Sequence, residues 1–411
     1  MLTRNNWFIR YYRGGIYAMY IIHNGKIITE EKILEASAVV VEGEFIQAII
    51  PEDAIPNYPG AELINARGGY ISPGFIDIHS DYIEGIVSPR PTSMMDVHIS
   101  LREAEKILIS HGITTMFHSL SFYREDVFTH KPMRYPENAQ RLVDAIDATH
   151  HELHLIRHRL HARFEIDNID QVDRLVANIK SDKVHLLSFM DHTPGQGQYR
   201  DLEVYRQTLL GYQDLTDSDV QTIIDKRQSS TYLTIEKIKE VADIALSRGI
   251  SIASHDDDDI KKLELVQSFG TTISEFPITL EVAMKAKEMG LQTIAGAPNV
   301  LLGGSHSGNL SAAEAIEHGC IDILCSDYYP AALLHAIFTL SEKYGNDLHR
   351  IFMMVTLNPA KAVRMDDEIG SIKPGKKADI LVIERMDDGY PMLTATMVNG
   401  AIITTTNYRT K

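Results

Sequence analysis

The stretch that decides the fold lies at residues 73–81, which read PGFIDIHSD. An apolar run begins after a Pro-Gly pair and ends in alternating polar residues, which is typical of a buried strand that leads into a loop. Because side chains alternate between the two faces of a strand, Asp77, His79 and Asp81 point the same way. A histidine and a carboxylate two residues apart at a strand end can bind one metal ion.

Seven further segments along the chain also have the character of strands, and helical patterns separate them. Strands that alternate with helices favour a parallel sheet with crossover helices. A set of eight fits a (β/α)₈ TIM-type barrel better than an open sheet. The predicted strands are residues 74–79, 114–120, 160–166, 185–192, 250–255, 272–277, 292–297 and 322–327.

The two ends of the chain predict a second, smaller domain. Residues 20–29 and 397–404 each hold an Asn-Gly pair between apolar segments, the strongest short signal for a β-hairpin. Residues 38–41, 45–50 and 380–383 are further strand candidates. We expect 19–72 and 366–408 to form one small β domain, 73–365 to form the barrel, and 1–18 to be a disordered extension.

Composition restricts the partners of the protein. The chain has 411 residues and a formal net charge of -16, which argues against nucleic acid and anionic membranes as partners. It holds no apolar run of the length that a transmembrane helix needs. With two cysteines, Cys320 and Cys325, we expect small core residues and a protein of the reducing cytoplasm. A homo-oligomer is compatible with the sequence.

The ends of the predicted strands carry side chains suited to metals. In a barrel the carboxyl ends of all strands converge on the face where catalysis takes place. A single histidine there is as easily structural as functional, but several histidines and carboxylates at separate strand ends are hard to explain structurally. We therefore expect a divalent metal centre, with Zn²⁺, Mn²⁺ or Fe²⁺ suited to the mixed ligands. The predicted ligands are His79, Asp81, Glu165, His192, His255 and Asp327.

Three features predict contacts to phosphate. Ionisable side chains share one face of residues 159–165, which indicates either an ion-pair network or a wet site. The loop GGSHSGN at 303–309 precedes a predicted helix at 312–317, whose N-terminal N–H groups could bind an anion. An arginine stands between two prolines in the SPRP motif. The predicted substrate contacts are Arg90, Arg159, His161, Arg163, Gly303, Gly304, His306 and Asn309.

The acidic run at residues 256–259 has a simpler interpretation. Carboxylates are stabilised at the positive N-terminal end of a helix. We therefore expect Asp257, Asp258 and Asp259 to begin a helix, and keep Asp256 as an alternative general base.

Longer motifs give a resemblance to a known family. They include PGFIDIHSD, SPRP, HRLHARFE, SFMDHTPGQGQY, ASHDD, GAPNVLLGGSHSGN and DILCSDYYPA. With these, the chain resembles the PhnM family of the amidohydrolase superfamily, which belongs to the carbon–phosphorus lyase pathway of phosphonate catabolism. The superfamily at large often has His-x-His on its first strand and a carboxylated lysine, where this chain has His79-x-Asp81 and Glu165.

The resemblance implies a reaction. A phosphorylated sugar, α-D-ribose 1-methylphosphonate 5-triphosphate, would be hydrolysed to the 5-phosphate and pyrophosphate. Two divalent ions would activate a water molecule. Asp327 would take its proton as the general base.

Two alternatives remain. A cyclic-amide or N-acyl amidohydrolase, similar to a dihydroorotase or a deacetylase, predicts a pocket with few cations. A catalytically inactive barrel that serves as a binding or assembly protein predicts missing metal ligands. The three arginines and the complete ligand set favour the phosphate-cleaving enzyme over both, although a fold alone does not fix function.

Overall fold

The computed structural model describes residues 19–90, 92–122, 132–192, 194–195, 202–203, 206, 210, 217–228, 231–304 and 309–407. The chain divides into two compact units, one formed by residues up to Gly74 and from Asp366 onward, the other by Phe75–Met365. The predicted disordered extension, residues 1–18, lies outside the described residues. No helix in the described part of the chain is long and apolar enough to cross a membrane.

A mixed, largely antiparallel sheet built from both ends of the chain makes up the terminal unit. Alternate residues of its second strand pack on opposite faces, with Val39 and Val41 in one apolar cluster and Ala38 and Val40 in another. The strand order is β16-β15-β14-β5-β1-β2-β3, with β4 beside β1. The strands are β1 (Met19–Ile28), β2 (Ile33–Glu42), β3 (Phe45–Pro51), β4 (Glu62–Asn65), β5 (Tyr70–Pro73), β14 (Ile380–Arg385), β15 (Pro391–Val398) and β16 (Ala401–Thr405).

One of the two predicted hairpins forms. Asn399 and Gly400, with φ of 47° and 72°, join β15 to antiparallel β16, which confirms the hairpin at 397–404. The hairpin predicted at 20–29 is wrong, because β1 runs through Asn24 as one strand with a bulge. Asn24 is left-handed (φ 55°) and its N–H donates to Glu52 Oε1 at 2.6 Å, so the Asn-Gly pair shapes the bulge instead of reversing the chain.

A half-buried carboxylate, Glu30, ties the two sequence segments of the terminal unit together. Glu30 accepts hydrogen bonds from Ser371, Lys373 and Lys376. Burial raises the pKa of Glu30, but these hydrogen bonds outweigh burial and lower the pKa from 4.5 to about 2. The Glu30 carboxylate is therefore a stabilising group in its charged form.

Parallel strands make up the second unit and close into a barrel. Each strand pairs with the next along the chain, and a bridge between Ser80 and Asp327 links the last strand to the first. This confirms the predicted (β/α)₈ barrel with a small β domain from both termini. The barrel strands are β6 (Phe75–Ser80), β7 (Ile113–Phe122), β8 (Arg157–Glu165), β9 (Leu186–Met190), β10 (Ser251–His255), β11 (Ile273–Glu275), β12 (Gln292–Gly296) and β13 (Ile323–Cys325).

Helices connect the barrel strands, and α2 shows how the sequence sets their limits. The Asp96 side chain caps its first turn, Leu101 and Leu108 are buried, and Gly112 (φ 86°) follows its end. The helices are α1 (Tyr82–Val87), α2 (Val97–Ser110), α3 (Pro136–Ala148), α4 (Val172–Lys180), α5 (Asp217–Gln228), α6 (Ile235–Ser247), α7 (Ile260–Gln267), α8 (Leu280–Glu288), α9 (Ala297–Leu302), α10 (Ala312–Glu317), α11 (Ala332–Tyr344), α12 (Leu348–Met353) and α13 (Leu357–Ala362).

The barrel strands are largely buried on both faces. Every residue of β7 is buried, as expected for a parallel strand covered by helices. Cys320 and Cys325 are both free and buried, so they are the predicted core residues. On β8 even the ionisable residues from His161 to Glu165 are buried, and burial on that scale requires partners.

Candidate metal centre

A buried group of metal-ligand side chains forms where β6, β10 and β11 end. His79 Nδ1 lies 3.0 Å from Glu275 Oε1, and the rings of His79 and His255 are 5.3 Å apart. These three side chains can offer ligand atoms within 4.8 Å of one another. The structure thus brings His79 and His255 together and adds Glu275, which the sequence analysis missed.

A second group shares His255. It combines His192, His255 and Asp256, with Asp256 Oδ2 at 3.6 Å from His192 Nε2 and 2.9 Å from His255 Nδ1. The 2.9 Å approach lacks hydrogen-bond alignment, so Asp256 Oδ2 and His255 Nδ1 are buried atoms without a hydrogen-bond partner among the described residues. A buried carboxylate oxygen without a partner is costly, and a cation beside Asp256 Oδ2 would satisfy it. The side chains present therefore fit a divalent metal ion.

Two carboxylates hold the histidines from behind. Glu165 Oε1 contacts His192 Nδ1, which leaves Nε2 of His192 towards Asp256. Glu275 has the same relation to His79 through Nδ1. A carboxylate on one ring nitrogen fixes the tautomer and orients the other nitrogen for a metal. Direct metal binding by Glu165 stays a prediction.

Asp327 lies beside this group, anchored to the end of the first barrel strand. Its N–H donates to His79 O at 3.1 Å, and its own carbonyl accepts from Asp81 N at 3.0 Å. Burial, followed by the charge of Asp81, raises the pKa of Asp327 to about 7, while Arg163 acts in the opposite direction. A carboxyl group with a pKa near neutrality is suited to proton transfer. Asp81 itself begins α1 and is half-buried.

The backbone is strained at this end of the barrel. Asp256, Phe276 and Asp327 follow three different strands directly, and each has a positive φ, between 52° and 58°. A left-handed conformation is uncommon for residues other than glycine, and such residues concentrate at functional sites. At Asp256 and Asp327 the sharp turn places a carboxylate next to the cluster.

His161, predicted to contact substrate, instead lies inside the barrel behind Glu275. Its Nδ1 is 3.0 Å from Ser119 Oγ, and its Nε2 contacts Ser188 Oγ, which donates to Glu275 Oε2 at 2.8 Å. Burial lowers the pKa of His161 to about 3, so its ring is neutral. These contacts indicate that His161 supports Glu275, and they give no support to its predicted contact with substrate.

The two arginines of β8 occupy different places. Arg163 Nη2 lies 3.0 Å from His255 Nε2, which must accept because a guanidinium group has donors only. Arg163 therefore belongs to the cluster. Arg159 Nη1 donates to the carbonyl of His158 at 2.9 Å, near the start of the strand. Its predicted substrate contact has no support from this position.

One of the predicted phosphate loops is organised differently from expectation. Helix α10 is capped by Ser311 Oγ, which accepts from Glu314 N, and Ala312 N donates to Asn299 Oδ1 at 2.9 Å. Side chains of the protein therefore already accept from two of the N–H groups at this helix end, and anion binding by the loop stays a prediction.

The remaining predicted phosphate contacts lie in loops. Gly303 ends α9 with φ of 78°, Gly304 follows it, and Asn309 is half-buried. Arg90 is exposed after α1, in a turn closed by Ser93 N and Arg90 O at 3.0 Å. These contacts stay predictions. His306 lies outside the described residues.

The acidic run splits among three roles. Asp259 caps α7 by accepting from Lys262 N at 2.7 Å, which confirms the helix-start prediction for this residue. The same prediction is wrong for Asp257, which is fully buried and accepts from Ser254 Oγ and Ser274 Oγ. Asp256 joins the metal-ligand group.

Comparison with known proteins identifies the family. A model of the amidohydrolase family matches residues 70–406, and one of the NagA composite domain matches residues 19–59. The chain belongs to the amidohydrolase family. Members of this superfamily usually bind divalent metals, as the ligand groups here would allow.

Individual relatives refine the placement. The chain is 32% identical over 372 residues to the α-D-ribose 1-methylphosphonate 5-triphosphate diphosphatase of Escherichia coli, covering 90% of this chain and 96% of that protein. This similarity confirms the resemblance to the PhnM family. An imidazolonepropionase of Fusobacterium nucleatum is 24% identical and covers 86% of each chain.

Solved structures share the fold at low sequence identity. N-acetylglucosamine-6-phosphate deacetylase from Pasteurella multocida matches with a TM-score of 0.62 and 14% identity, covering 94% of this chain and 100% of that one. A molinate hydrolase matches with a TM-score of 0.63 and 16% identity, covering 95% of both. At these identities the similarity shows the architecture alone.

Proposed function

We propose that this amidohydrolase hydrolyses α-D-ribose 1-methylphosphonate 5-triphosphate to the 5-phosphate and pyrophosphate. The observation that carries the proposal is the similarity to the E. coli diphosphatase across 96% of that protein. The buried histidine–carboxylate cluster supports it, because divalent ions held by such a cluster can activate water for attack on phosphorus.

The proposed metal centre holds two divalent ions, Zn²⁺, Mn²⁺ or Fe²⁺. When bound, such ions lower the pKa of water and neutralise charge on phosphoryl oxygens. Asp256 joins the proposed ligands because its Oδ2 is buried without a hydrogen-bond partner among the described residues. The full proposed set is His79, Asp81, Glu165, His192, His255, Asp256 and Asp327.

Proton transfer falls to Asp327. In the proposed reaction the water oxygen attacks the phosphorus attached to the 5-oxygen of the sugar, and the bond from that phosphorus to the bridging oxygen of pyrophosphate breaks. Asp327 takes the proton from the water, and its half-buried position at the edge of the ligand group and its raised pKa suit this role.

The proposed substrate contacts are cationic and short-range. A protein of net charge -16 repels a triphosphate at long range, so local donors must hold it. Arg163 lies within the cluster and would contact the phosphoryl group that is attacked. Arg90, exposed on the loop after α1, would contact the departing pyrophosphate.

The test is ³¹P NMR of the products in ¹⁸O-enriched water, with ATP and dihydroorotate as comparison substrates. The proposal expects pyrophosphate and the sugar 5-phosphate, with the ¹⁸O label in the 5-phosphate. Label in pyrophosphate would place the attack on the next phosphorus. Efficient cleavage of dihydroorotate without cleavage of the triphosphate would favour the amidohydrolase alternative.

Metal analysis separates the enzyme from the inactive-barrel alternative. Protein purified from metal-replete medium should hold at least one equivalent of a divalent transition metal per chain that His192→Ala together with His255→Ala removes. Less than about half an equivalent, with no hydrolysis of any of the three substrates, would contradict the proposal.

A further inference from the structure

Outside the barrel, helix α2 and strand β8 hold another histidine–carboxylate group. Glu105 Oε2 lies 2.9 Å from His154 Nδ1 and 3.2 Å from His158 Nε2. The exposed fractions of these side chains are 3%, 6% and 0%. The three side chains can offer ligand atoms within 4.8 Å of one another.

This group is separate from the candidate metal centre. His158 is three positions before His161 on β8, so the two side chains point to opposite faces of the strand. His161 faces Glu275 inside the barrel, whereas His158 faces Glu105 of α2. Glu165 is seven residues further along β8, which corresponds to roughly 23 Å.

The two separations between Glu105 Oε2 and the histidine nitrogens suit Zn²⁺. Nitrogen and oxygen ligands about 2.0–2.1 Å from a tetrahedral ion lie roughly 3.3 Å from each other. The separations from Glu105 Oε2, 2.9 and 3.2 Å, need an increase of a few tenths of an ångström at most. Two histidines and a glutamate are an established donor set for this ion.

The outer ring nitrogens are also engaged, as in metal sites. His154 Nε2 lies 3.3 Å from Glu152 Oε2, and His158 Nδ1 lies 2.8 Å from His118 Nε2. When those outer nitrogens carry the protons, lone pairs of His154 Nδ1 and His158 Nε2 both face Glu105. Three converging lone pairs repel one another unless a proton or a metal ion lies between them.

The carboxylate itself is held in place by other groups. Leu155 N donates to Glu105 Oε2 at 2.9 Å, and Arg102 Nη1 lies 3.4 Å from Glu105 Oε1. The ligand atoms are thus oriented by the surrounding chain before any ion binds, as in designed and natural metal sites.

We propose that Glu105, His154 and His158 form a second metal site, which binds Zn²⁺ and links helix α2 to the start of strand β8. The site lies on the outer face of the barrel wall, and it does not depend on the proposed function. Water completes the coordination.

Counting Zn²⁺ in full-length protein tests the site. The candidate metal centre is first disabled by His192→Ala and His255→Ala, and metal-depleted protein is then titrated with Zn²⁺ against a chromophoric chelator. This parent should bind one equivalent, and adding His154→Gln should abolish that binding. His151→Gln, at an exposed neighbouring histidine, should leave it unchanged. A parent that binds no Zn²⁺, or a His154→Gln protein that still binds one equivalent, would overturn the proposal.

A second measurement does not depend on variants that fold. Anomalous diffraction at the zinc edge from crystals of the unaltered protein grown with Zn²⁺ should show a peak between the three side chains. Peaks confined to the barrel would contradict the site. In metal-loaded protein, His154→Gln should leave hydrolysis within about twofold of the unaltered enzyme, because His154 precedes β8, at the opposite end of that strand from Glu165.

Discussion

Glutamine in place of Glu275 tests whether a buried carboxylate controls the candidate metal centre through a histidine. Glu275 is fully buried, with Oε1 3.0 Å from His79 Nδ1 and Oε2 accepting from Ser188 Oγ at 2.8 Å. Glutamine has nearly the same shape, but one of its two terminal atoms is a donor. One of the two contacts is therefore lost, together with the negative charge that polarises the His79 ring.

The expected loss follows from that role. Removing a carboxylate that orients a metal-bound histidine costs about 10- to 100-fold in metal affinity, or about 1.4–2.8 kcal/mol. Because the ligand atom on His79 remains, saturating metal should restore kcat to within a few-fold. Removing a direct ligand would cost more and would not be restored in this way.

The assay is metal binding by chelator competition, together with hydrolysis at limiting and at saturating metal. Both are measured in the His154→Gln background, so that the proposed outer site does not contribute. Glu281→Gln, at an exposed position on α8, is the control. Unchanged metal affinity in Glu275→Gln would refute the orienting role, and a loss that saturating metal cannot restore would make Glu275 a direct ligand.

Three other changes have defined outcomes. Asp327→Asn should preserve the fold and lower kcat by roughly 10²-fold or more, which is measured together with the pH dependence of kcat. An active variant with an unchanged pH dependence would mean that another residue is the general base. Arg163→Ala should lower kcat/KM for the triphosphate by an amount that corresponds to about 1.5–3 kcal/mol, and part of this loss should appear in kcat. Arg248→Ala, at a surface position, is the control, and equal activities of the two variants would exclude the contact. Glu30→Gln should lower thermal stability most above pH 5, because the depressed pKa of Glu30 contributes stability above 4.5 that is lost as pH falls towards 2. The free energy of unfolding should differ from that of the unaltered protein by at most about 3 kcal/mol. A difference that stays constant down to pH 3, or that equals the difference for Glu31→Gln at an exposed position, would contradict the dependence of stability on the charge of Glu30.

The sequence could predict the barrel because each strand carries its own signal. An apolar run followed by a polar end is a local pattern, and convergence of strand ends follows from the closed parallel sheet. His79 and His255 come together for this reason. The Asn24-Gly25 pair led to a wrong hairpin prediction, because a bulge and a hairpin can both contain a left-handed residue of this kind. Which of the two forms depends on partners distant in sequence, such as Glu52.

The parts of the site that sequence analysis missed depend on contacts between strands. Glu275 lies at the end of a predicted strand, and a carboxylate in that position was a usable signal, but its contact with His79 spans 196 positions. Adjacent Asp256 and Asp257 have different roles because the left-handed turn at Asp256 separates their directions. The helix cap at Ser311 could have been predicted from the sequence, because Ser311 and Glu314, three residues apart, have the spacing of a capping box.

The charges around His255 give an independent reason to expect cations at the barrel end. Asp256, Glu275 and Glu165 are buried there and Asp327 is half-buried, whereas Arg163 lies against the His255 ring and Lys262 Nζ donates to the backbone carbonyls of His255 and Asp256. Four carboxylates with two cationic side chains leave negative charge that water screens poorly, and such a group is stable only if it binds protons or cations. Histidines oriented from behind by carboxylates direct their free nitrogens at a metal and not at a proton donor. The arrangement therefore favours metal ions as the missing positive charge, and it explains why the two orienting carboxylates, Glu165 and Glu275, lie on different strands on either side of the shared ligand.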